Sequence, residues 1–194
     1  MKDISYALGL SIASNLKNSG VEALDIVHFT KGLNAILLNE EITMSPDEVN
    51  QILNEFFEGI QKKAEGSNSE TGKAFLDENK NKPGVITLPS GLQYSVITEG
   101  TGVKATAKNQ VKVHYTGTLI DGTVFDSSVA RGEPATFGVT QVISGWVEGL
   151  QLMSKGAKYK FFIPSNLAYG AQGAGKVIGP NATLVFEVEL LEIL

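Results

Sequence analysis

The chain has 194 residues, of which 42% are hydrophobic and 19% are charged, and its formal net charge is −5. This length suffices for two small domains, and the composition is typical of globular proteins rather than disordered ones. The chain contains no cysteine, which excludes disulfides, thiolate metal sites and cysteine nucleophiles. Residues 1–88 carry 8 lysines against 13 acidic residues, and neither half has the basic patch that nucleic-acid binding requires.

The hydrophobic residues are distributed without a long apolar run. No stretch of about 18 apolar residues is present, and Asp3 and several serines interrupt the N-terminal segment where a signal peptide needs an apolar core. We therefore expect no membrane association and a cytoplasmic location. The alternative is a periplasmic location, if a leader was removed.

The first 40 residues show apolar residues at helical spacing in two groups. The first group runs from Ile4 to Leu16 and the second from Ile26 to Leu37. Between them, the triplet NSG at residues 18–20 is typical of the end of a helix followed by a turn. The pattern predicts a helical hairpin.

A third helix has clear signals at its start. Ser45 is suited to the N-cap, Pro46 to the first helical position, and Asp47 and Glu48 to the first turn, where they complement the helix dipole. We expect one long helix from Ser45 to about Lys80 that serves as a spacer. Two shorter helices separated by a loop at residues 66–69 are the alternative, because a glycine in a helix costs about 1 kcal/mol.

The apolar face of the third helix is broad for so small a helical region. It consists of Val49, Ile52, Leu53, Phe56, Phe57 and Ile60. Three helices in the first 80 residues offer little to cover this face, and a second copy of the chain is the simplest partner. We expect a homodimer through residues 1–60, with a self-sufficient three-helix bundle as the alternative.

The pattern changes its period after the segment LPSG at residues 88–91. Residues 92–96, 111–115 and 186–190 alternate between apolar and polar, as half-buried antiparallel strands do. Residues 146–153 form the only short helical pattern. The expected fold class is α+β: a helical domain with a long connecting helix at residues 1–82, then a twisted antiparallel sheet wrapped on one short helix at residues 83–194.

The residues of the second half give little support for acid–base catalysis or for a metal site. Asp126 is a lone acid at the end of a strand, where Arg131 or a tyrosine hydroxyl is a plausible partner, but no second proton-transfer group lies near it in sequence. The chain has only two histidines, His28 and His114, without ligand-like spacing. No nucleophile elbow, Walker loop or dinucleotide fingerprint is present. We expect no metal and no cofactor.

Aromatic residues are the conspicuous feature of this half. An aromatic cup with few polar groups suits an apolar ligand, so the residues alone predict an apolar binding pocket. The rings are those of Tyr115, Phe125, Phe137, Trp146, Tyr159, Phe161, Phe162, Tyr169 and Phe186.

Four segments of the second half closely resemble the FKBP-type peptidyl-prolyl cis-trans isomerases. They are VHYTGTLIDGTVFDSS at residues 113–128, VISGWVEGLQLM at 142–153, IPSNLAYGAQG at 163–173 and ATLVFEVELLEI at 182–193. The helical N-terminal half resembles the dimerisation domain of the bacterial Mip-like and FkpA/FklB-like subgroup. The resemblance implies an enzyme that accelerates rotation about Xaa-Pro bonds in folding chains, with additional chaperone activity.

The resemblance also implies roles for particular residues. The catalytic set is Tyr115, Phe125, Asp126, Ile143, Trp146, Tyr169 and Phe186. The further substrate-binding set is Arg131, Phe137, Val142, Val177 and Ile178. In the family the tryptophan forms the floor under the proline ring, the backbone N–H at the Ile143 position holds one substrate carbonyl, and the Tyr169 hydroxyl donates to another.

Two positions differ from the family pattern. Ala135 replaces a usual aromatic residue, and Ala174 replaces the histidine of many members. We expect these changes to affect the pocket rim and the affinity for macrolides of the FK506/rapamycin class more than the reaction. The implied partners are proline-containing polypeptide clients. A non-catalytic dimeric chaperone or binding module is the alternative function.

Overall fold

The structure is a computed structural model that describes residues 1–194. By contact the chain divides into two compact units, Met1–Lys63 and Ala64–Leu194. The division falls inside the third helix, because the C-terminal part of this helix packs against the sheet of the second unit. The domain boundary after residue 82, which the linker sequence indicates, stays a prediction.

The structure has both helices that the spacing predicts, α1 (Lys2–Asn18) and α2 (Ile26–Leu37). The two helices make at most marginal contact with each other, so they do not form the packed hairpin that the sequence pattern predicts. Gly20 has a φ of 84°, a left-handed conformation that suits the turn after α1. Asp25 caps α2, since its carboxylate accepts the backbone N–H of His28 at 3.1 Å. Neither helix contains a buried residue.

Helix α3 (Pro46–Asn79) is continuous through Gly66, as the one-helix interpretation predicts. It begins with a capping box. The carboxylate of Glu48 accepts the backbone N–H of Ser45 at 2.8 Å, and the Ser45 hydroxyl accepts the N–H of Glu48 at 3.3 Å. None of the helices combines the length and the apolar character that crossing a bilayer requires.

The second unit is built on antiparallel strands. They are β1 (Val85–Thr87), β2 (Gln93–Thr98), β3 (Thr101–Lys104), β4 (Gln110–Leu119), β5 (Val124–Ser127), β6 (Ala135–Gly138), β7 (Ser154–Lys155), β8 (Lys158–Ile163) and β9 (Leu184–Ile193). The main sheet has the order β1-β2-β8-β9-β4-β5, with β6 also paired to β4, and a separate pair is formed by β3 and β7. This antiparallel sheet, together with the short helix described next, confirms the predicted fold class.

After the one-turn helix α4 (Ser128–Arg131), which the sequence pattern does not predict, helix α5 (Ser144–Leu150) packs against one face of this sheet. Two buried glycines of α5 permit the close approach: a Cβ atom at Gly145 would lie 2.5 Å from Ile163, and one at Gly149 would lie 2.6 Å from Phe161. The predicted helix at residues 146–153 is placed too far toward the C-terminus, because residues 151–152 form a turn.

The C-terminal part of α3 is attached to the sheet by polar and apolar contacts. Buried Asn79 donates to the side-chain oxygen of Gln93 at 2.9 Å, and Gln93 donates to the carbonyl of Leu76 at 2.9 Å. The ring centroids of Phe75 and Phe162 lie 6.0 Å apart. These contacts fix one end of the second unit before its first strand begins.

Candidate functional site

A cavity of about 720 Å³ opens on the sheet unit. Its lining contains eleven of the twelve residues implied as catalytic or substrate-binding: Tyr115, Phe125, Asp126, Phe137, Val142, Ile143, Trp146, Tyr169, Val177, Ile178 and Phe186. Arg131 lies outside the lining and reaches the cavity through its ion pair with Asp126. Residues from β4, β5, β6, β9 and α5, and from the loops that precede α5 and β9, therefore meet at one place.

The side chain of Trp146 is at the centre of the aromatic cluster. Its ring contacts those of Tyr115, Phe137 and Phe186 edge to face, with centroid distances of 5.3, 5.7 and 5.2 Å. Such edge-to-face pairs add about 0.5–1.5 kcal/mol each to the gain from burial. Only 4% of Trp146 is exposed, so the tryptophan is a rigid apolar surface against which a ligand ring can stack.

Gly117 on β4 makes room for the side wall. A Cβ atom there would lie 2.6 Å from the ring of Phe125 and 2.7 Å from the ring of Phe186. These two rings consequently pack edge to face over the strand, with centroids 5.4 Å apart. The alternation of β4 places Tyr115 on the same side of the sheet, two residues before the glycine.

The single acid of the cavity is held by two donors. The Tyr115 hydroxyl and the Arg131 guanidinium each donate to one oxygen of Asp126, and Arg131 also donates to the Tyr115 hydroxyl at 3.1 Å. The two alternatives that the sequence left open for Asp126, an ion pair with Arg131 and a contact with a tyrosine hydroxyl, thus occur together.

Asp126 and Tyr115 have opposite shifts of their pKa values. Burial would raise the pKa of Asp126, but the hydrogen bonds from Tyr115 and Arg131 outweigh it and hold that pKa below its ordinary value. The pKa of Tyr115 is raised, first by burial and then by the hydrogen bond to Asp126. At neutral pH the site therefore contains a carboxylate, a guanidinium and a neutral phenol.

Several hydrogen-bond donors of the cavity have no acceptor within the chain. Among them are the backbone N–H of Ile143, just before α5, and the hydroxyl of Tyr169, whose side chain is partly exposed. Unpaired donors beside an apolar cavity are suited to bind carbonyl oxygens of a ligand. The buried indole N–H of Trp146 also has no hydrogen-bond acceptor. Leaving this donor unpaired costs free energy, which the close packing of the indole ring offsets.

Four lining residues are absent from the predicted site sets: Gln141, Ala174, Gly175 and Lys176. They lie in irregular segments, where periodicity gives no information about side-chain direction. The glycine-rich stretch at residues 170–180 is the available signal, because it follows the motif that contains Tyr169. Of the two positions that differ from the family pattern, Ala174 lines the cavity, whereas Ala135 does not.

No group of three or more histidine, aspartate or glutamate side chains is placed to hold a metal ion. His114 is not part of the cavity lining, and its Nδ1 lies 3.1 Å from the hydroxyl of buried Ser128. The same hydroxyl accepts the backbone N–H of Tyr115 at 2.8 Å, which fixes the strand beneath the site.

Two family models match the chain, one mainly in each half. Residues 101–191 match the model described as FKBP-type peptidyl-prolyl cis-trans isomerase. Residues 1–96 match the model described as the domain amino-terminal to FKBP-type peptidyl-prolyl isomerase. Together the two matches extend over nearly the whole chain.

Individual proteins are similar over the same length. The probable FKBP-type isomerase FkpA of Neisseria meningitidis serogroup B is 46% identical, covering 100% of this chain and 74% of the relative. The FKBP-type 22 kDa isomerase of Escherichia coli is 46% identical, covering 98% of this chain and 94% of the relative. The crystal structure of FkpA from Escherichia coli matches with a TM-score of 0.74 and 36% identity, covering 98% of this chain and 95% of that one.

Proposed function

The chain belongs to the FKBP-type peptidyl-prolyl cis-trans isomerases, and we propose that the cavity around Trp146 is where it accelerates rotation about Xaa-Pro bonds. The enzyme class follows from the family, whereas the roles of individual residues are our proposal. One observation carries the proposal: an aromatic cavity holds unpaired donors at Ile143 and Tyr169 but no proton-transfer pair.

The reaction needs no nucleophile and no acid–base pair. Rotation about an Xaa-Pro bond has a barrier of about 20 kcal/mol because amide resonance must be lost, and no covalent bond is made or broken. A dry apolar cavity disfavours the polar planar amide relative to the twisted transition state, whose carbonyl is less dipolar. In this proposal the proline ring lies on Trp146 and the twisting amide faces the aromatic walls.

The polar groups then serve to position the substrate. The Ile143 N–H binds one carbonyl beside the proline, and the Tyr169 hydroxyl donates to a second one. Asp126 keeps Tyr115 in place through their hydrogen bond and sets the local electrostatics around the rotating carbonyl. Its pairing with Arg131 leaves it ionised and unsuited to donate a proton.

Two substitutions test the proposed site. We expect Trp146→Leu and Asp126→Asn each to lower kcat/KM for a short Xaa-Pro peptide by at least about tenfold, equivalent to a loss of ~1.4 kcal/mol of transition-state stabilisation. The measurement is a protease-free NMR exchange assay, with circular dichroism to verify folding. Phe75→Leu, which removes a ring outside the cavity, is the matched control, and unchanged turnover in both site variants would contradict the proposal.

The same cavity is the proposed site for macrolides of the FK506/rapamycin class. Its apolar walls and the free donors at Ile143 and Tyr169 suit a ligand that mimics a prolyl peptide with buried rings and carbonyl groups. The small side chain of Ala174 leaves this part of the rim open. Competition by such a macrolide against peptide turnover is a direct readout of shared binding.

We also propose that the chain forms a homodimer through residues 1–60. In Met1–Lys63 only Val21 is buried, while Leu8, Phe56 and Phe57 are 59%, 45% and 40% exposed. A helical unit with so few buried side chains cannot offset the conformational entropy lost on folding without a further apolar contact. A second copy would cover the apolar stripe of α3.

A dimer would present two isomerase sites to one client, and this supports a second function as a chaperone. Bivalent binding raises the apparent affinity for an extended polypeptide without new contacts at either site. We expect Trp146→Leu to retain the suppression of client aggregation and a chain lacking residues 1–60 to lose it, as measured by light scattering. Equal suppression by both would contradict the role of the dimer.

We keep the cytoplasm as the proposed compartment, with the periplasm as alternative, to be tested by cell fractionation.

A further inference from the structure

We propose that Lys176 makes the isomerase select proline segments with an acidic residue close to the Xaa-Pro bond. The proposal rests on the function assigned above to the cavity, and it adds a class of preferred substrate. It concerns the charge at the rim of the site, which the aromatic walls do not determine.

Lys176 is the only uncompensated charge of the cavity lining. The other charged lining residue is Asp126, whose carboxylate is paired with Arg131 and with the Tyr115 hydroxyl. Lys176 takes part in no ion pair and no hydrogen bond, and it is the one charged residue between positions 170 and 180. A ligand in the cavity therefore meets a net positive rim.

The backbone holds Lys176 at this place. Ala174 and Ile178 exchange two backbone hydrogen bonds, of 2.8 and 3.2 Å, so residues 175–177 form the tip of a narrow loop. The neighbouring Val177 and Ile178 line the cavity as well. The backbone of Lys176 is consequently held at the rim, and its exposed side chain is free to turn toward a ligand.

A second set of contacts supports the loop from behind. The amide nitrogen of Asn68 on α3 donates to the carbonyl of Pro180 at 2.8 Å. The backbone N–H of Asn181, which has a φ of 55°, donates to the carbonyl of Gly170 at 2.8 Å. These hydrogen bonds join the two ends of the loop and attach it to the helix, so that Lys176 has a fixed base.

Simple electrostatics gives the direction and size of the effect. A glutamate side chain within about 6 Å of an exposed ammonium group gains an interaction that corresponds to roughly a threefold preference in water. A lysine at the same place is disfavoured to a similar extent. Because the rim is open to solvent, salt of about 0.5 M should remove most of the preference.

The test compares acetylated peptides with the same Xaa-Pro core and Glu, Gln or Lys at a flanking position, placed in turn before and after this core. For the wild-type chain at low salt, we expect kcat/KM to be highest for Glu and lowest for Lys at one of these positions, with a ratio of roughly five to ten. Lys176→Gln should bring the ratio close to one, and Lys176→Glu should invert it.

Lys104→Gln is the matched control, since it removes the same charge from an exposed position outside the cavity lining. The proposal is overturned if Lys176→Gln leaves the Glu/Lys ratio unchanged, or if Lys104→Gln lowers the ratio equally, which would indicate an effect of net charge. Failure of the wild-type chain to isomerise any peptide, the neutral one included, would instead contradict the proposed function of the cavity.

Discussion

At the scale of single residues, Asp126 and Tyr115 form a pair with defined protonation states. Asp126 has a pKa below its ordinary value, so it favours the folded state above its unfolded pKa of about 3.9, and this contribution is lost as the pH falls through the lower folded pKa. Tyr115 has a raised pKa, so its contribution is present below its unfolded pKa of about 10 and is lost as the pH rises through the folded value.

These two pKa shifts predict that the isomerase activity is nearly independent of pH around neutrality. Between about pH 5 and pH 9 neither group changes its charge, and kcat/KM for a neutral Xaa-Pro peptide should vary by less than about twofold. Below about pH 4 activity should fall as Asp126 is protonated and releases Tyr115. NMR exchange rates across this range provide the measurement, and a bell-shaped profile centred near neutrality would indicate a proton-transfer mechanism instead.

At the scale of secondary-structure elements, α3 contacts the sheet unit through a small residue. A Cβ atom at Gly72 would lie 2.4 Å from the hydroxyl oxygen and 3.2 Å from the Cβ atom of buried Thr183, just before β9. The glycine therefore determines how closely the helix approaches the loop and strand behind the cavity. Gly66, earlier on the same helix, is exposed, and a Cβ atom at that position would have no neighbouring atom within 4 Å.

The two glycines give a matched pair of variants. We expect Gly72→Ala to lower the free energy of unfolding by about 1–3 kcal/mol, because the added methyl group overpacks the contact with Thr183. Gly66→Ala should raise it by about 0.5–1 kcal/mol, since alanine has the higher helix propensity. Urea unfolding of the full chain measures both changes. Destabilisation of similar size in both variants would show that the effect belongs to the helix and not to this contact.

At the scale of the whole molecule, the two units differ sharply in how many of their apolar side chains are buried. The sheet unit has a continuous core that includes fully buried Val113, Leu150 and Phe161, whereas the helical unit leaves its apolar stripes exposed. The helical unit therefore depends on a further contact in a way that the sheet unit does not. This difference is the physical basis of the proposed dimer.

A charge placed on the apolar stripe of α3 should separate the copies. We expect Phe57→Asp to convert the full chain from dimer to monomer in sedimentation equilibrium, because a carboxylate buried in an apolar interface is strongly unfavourable. Asn54→Asp adds the same charge on the polar side of α3 and should leave the dimer intact. Turnover of a short peptide should change by less than about twofold in both variants, since the cavity lies in the sheet unit. A wild-type chain that sediments as a monomer would contradict the proposal.

The local patterns of the sequence were sufficient for the elements with strong periodicity or clear end signals. The apolar stripes and the N-cap signal at Ser45 predict the three helices, and the alternation at residues 111–115 and 186–190 predicts the two central strands. The resemblance to the isomerase family indicated a set of residues that the fold then brings to one cavity. These features depend on interactions between residues that are close in sequence or on long matching motifs.

Only the tertiary structure decided the features that depend on distant parts of the chain. The sequence alone left open whether Asp126 pairs with Arg131 or with a tyrosine, and the fold brings β4, β5 and α4 together so that both pairs form. It also placed Lys176 at the rim, in a loop without regular periodicity whose position is set by contacts with α3 and Gly170. A side chain in an irregular segment has no local pattern to direct it, so its role emerges only from the packing around it.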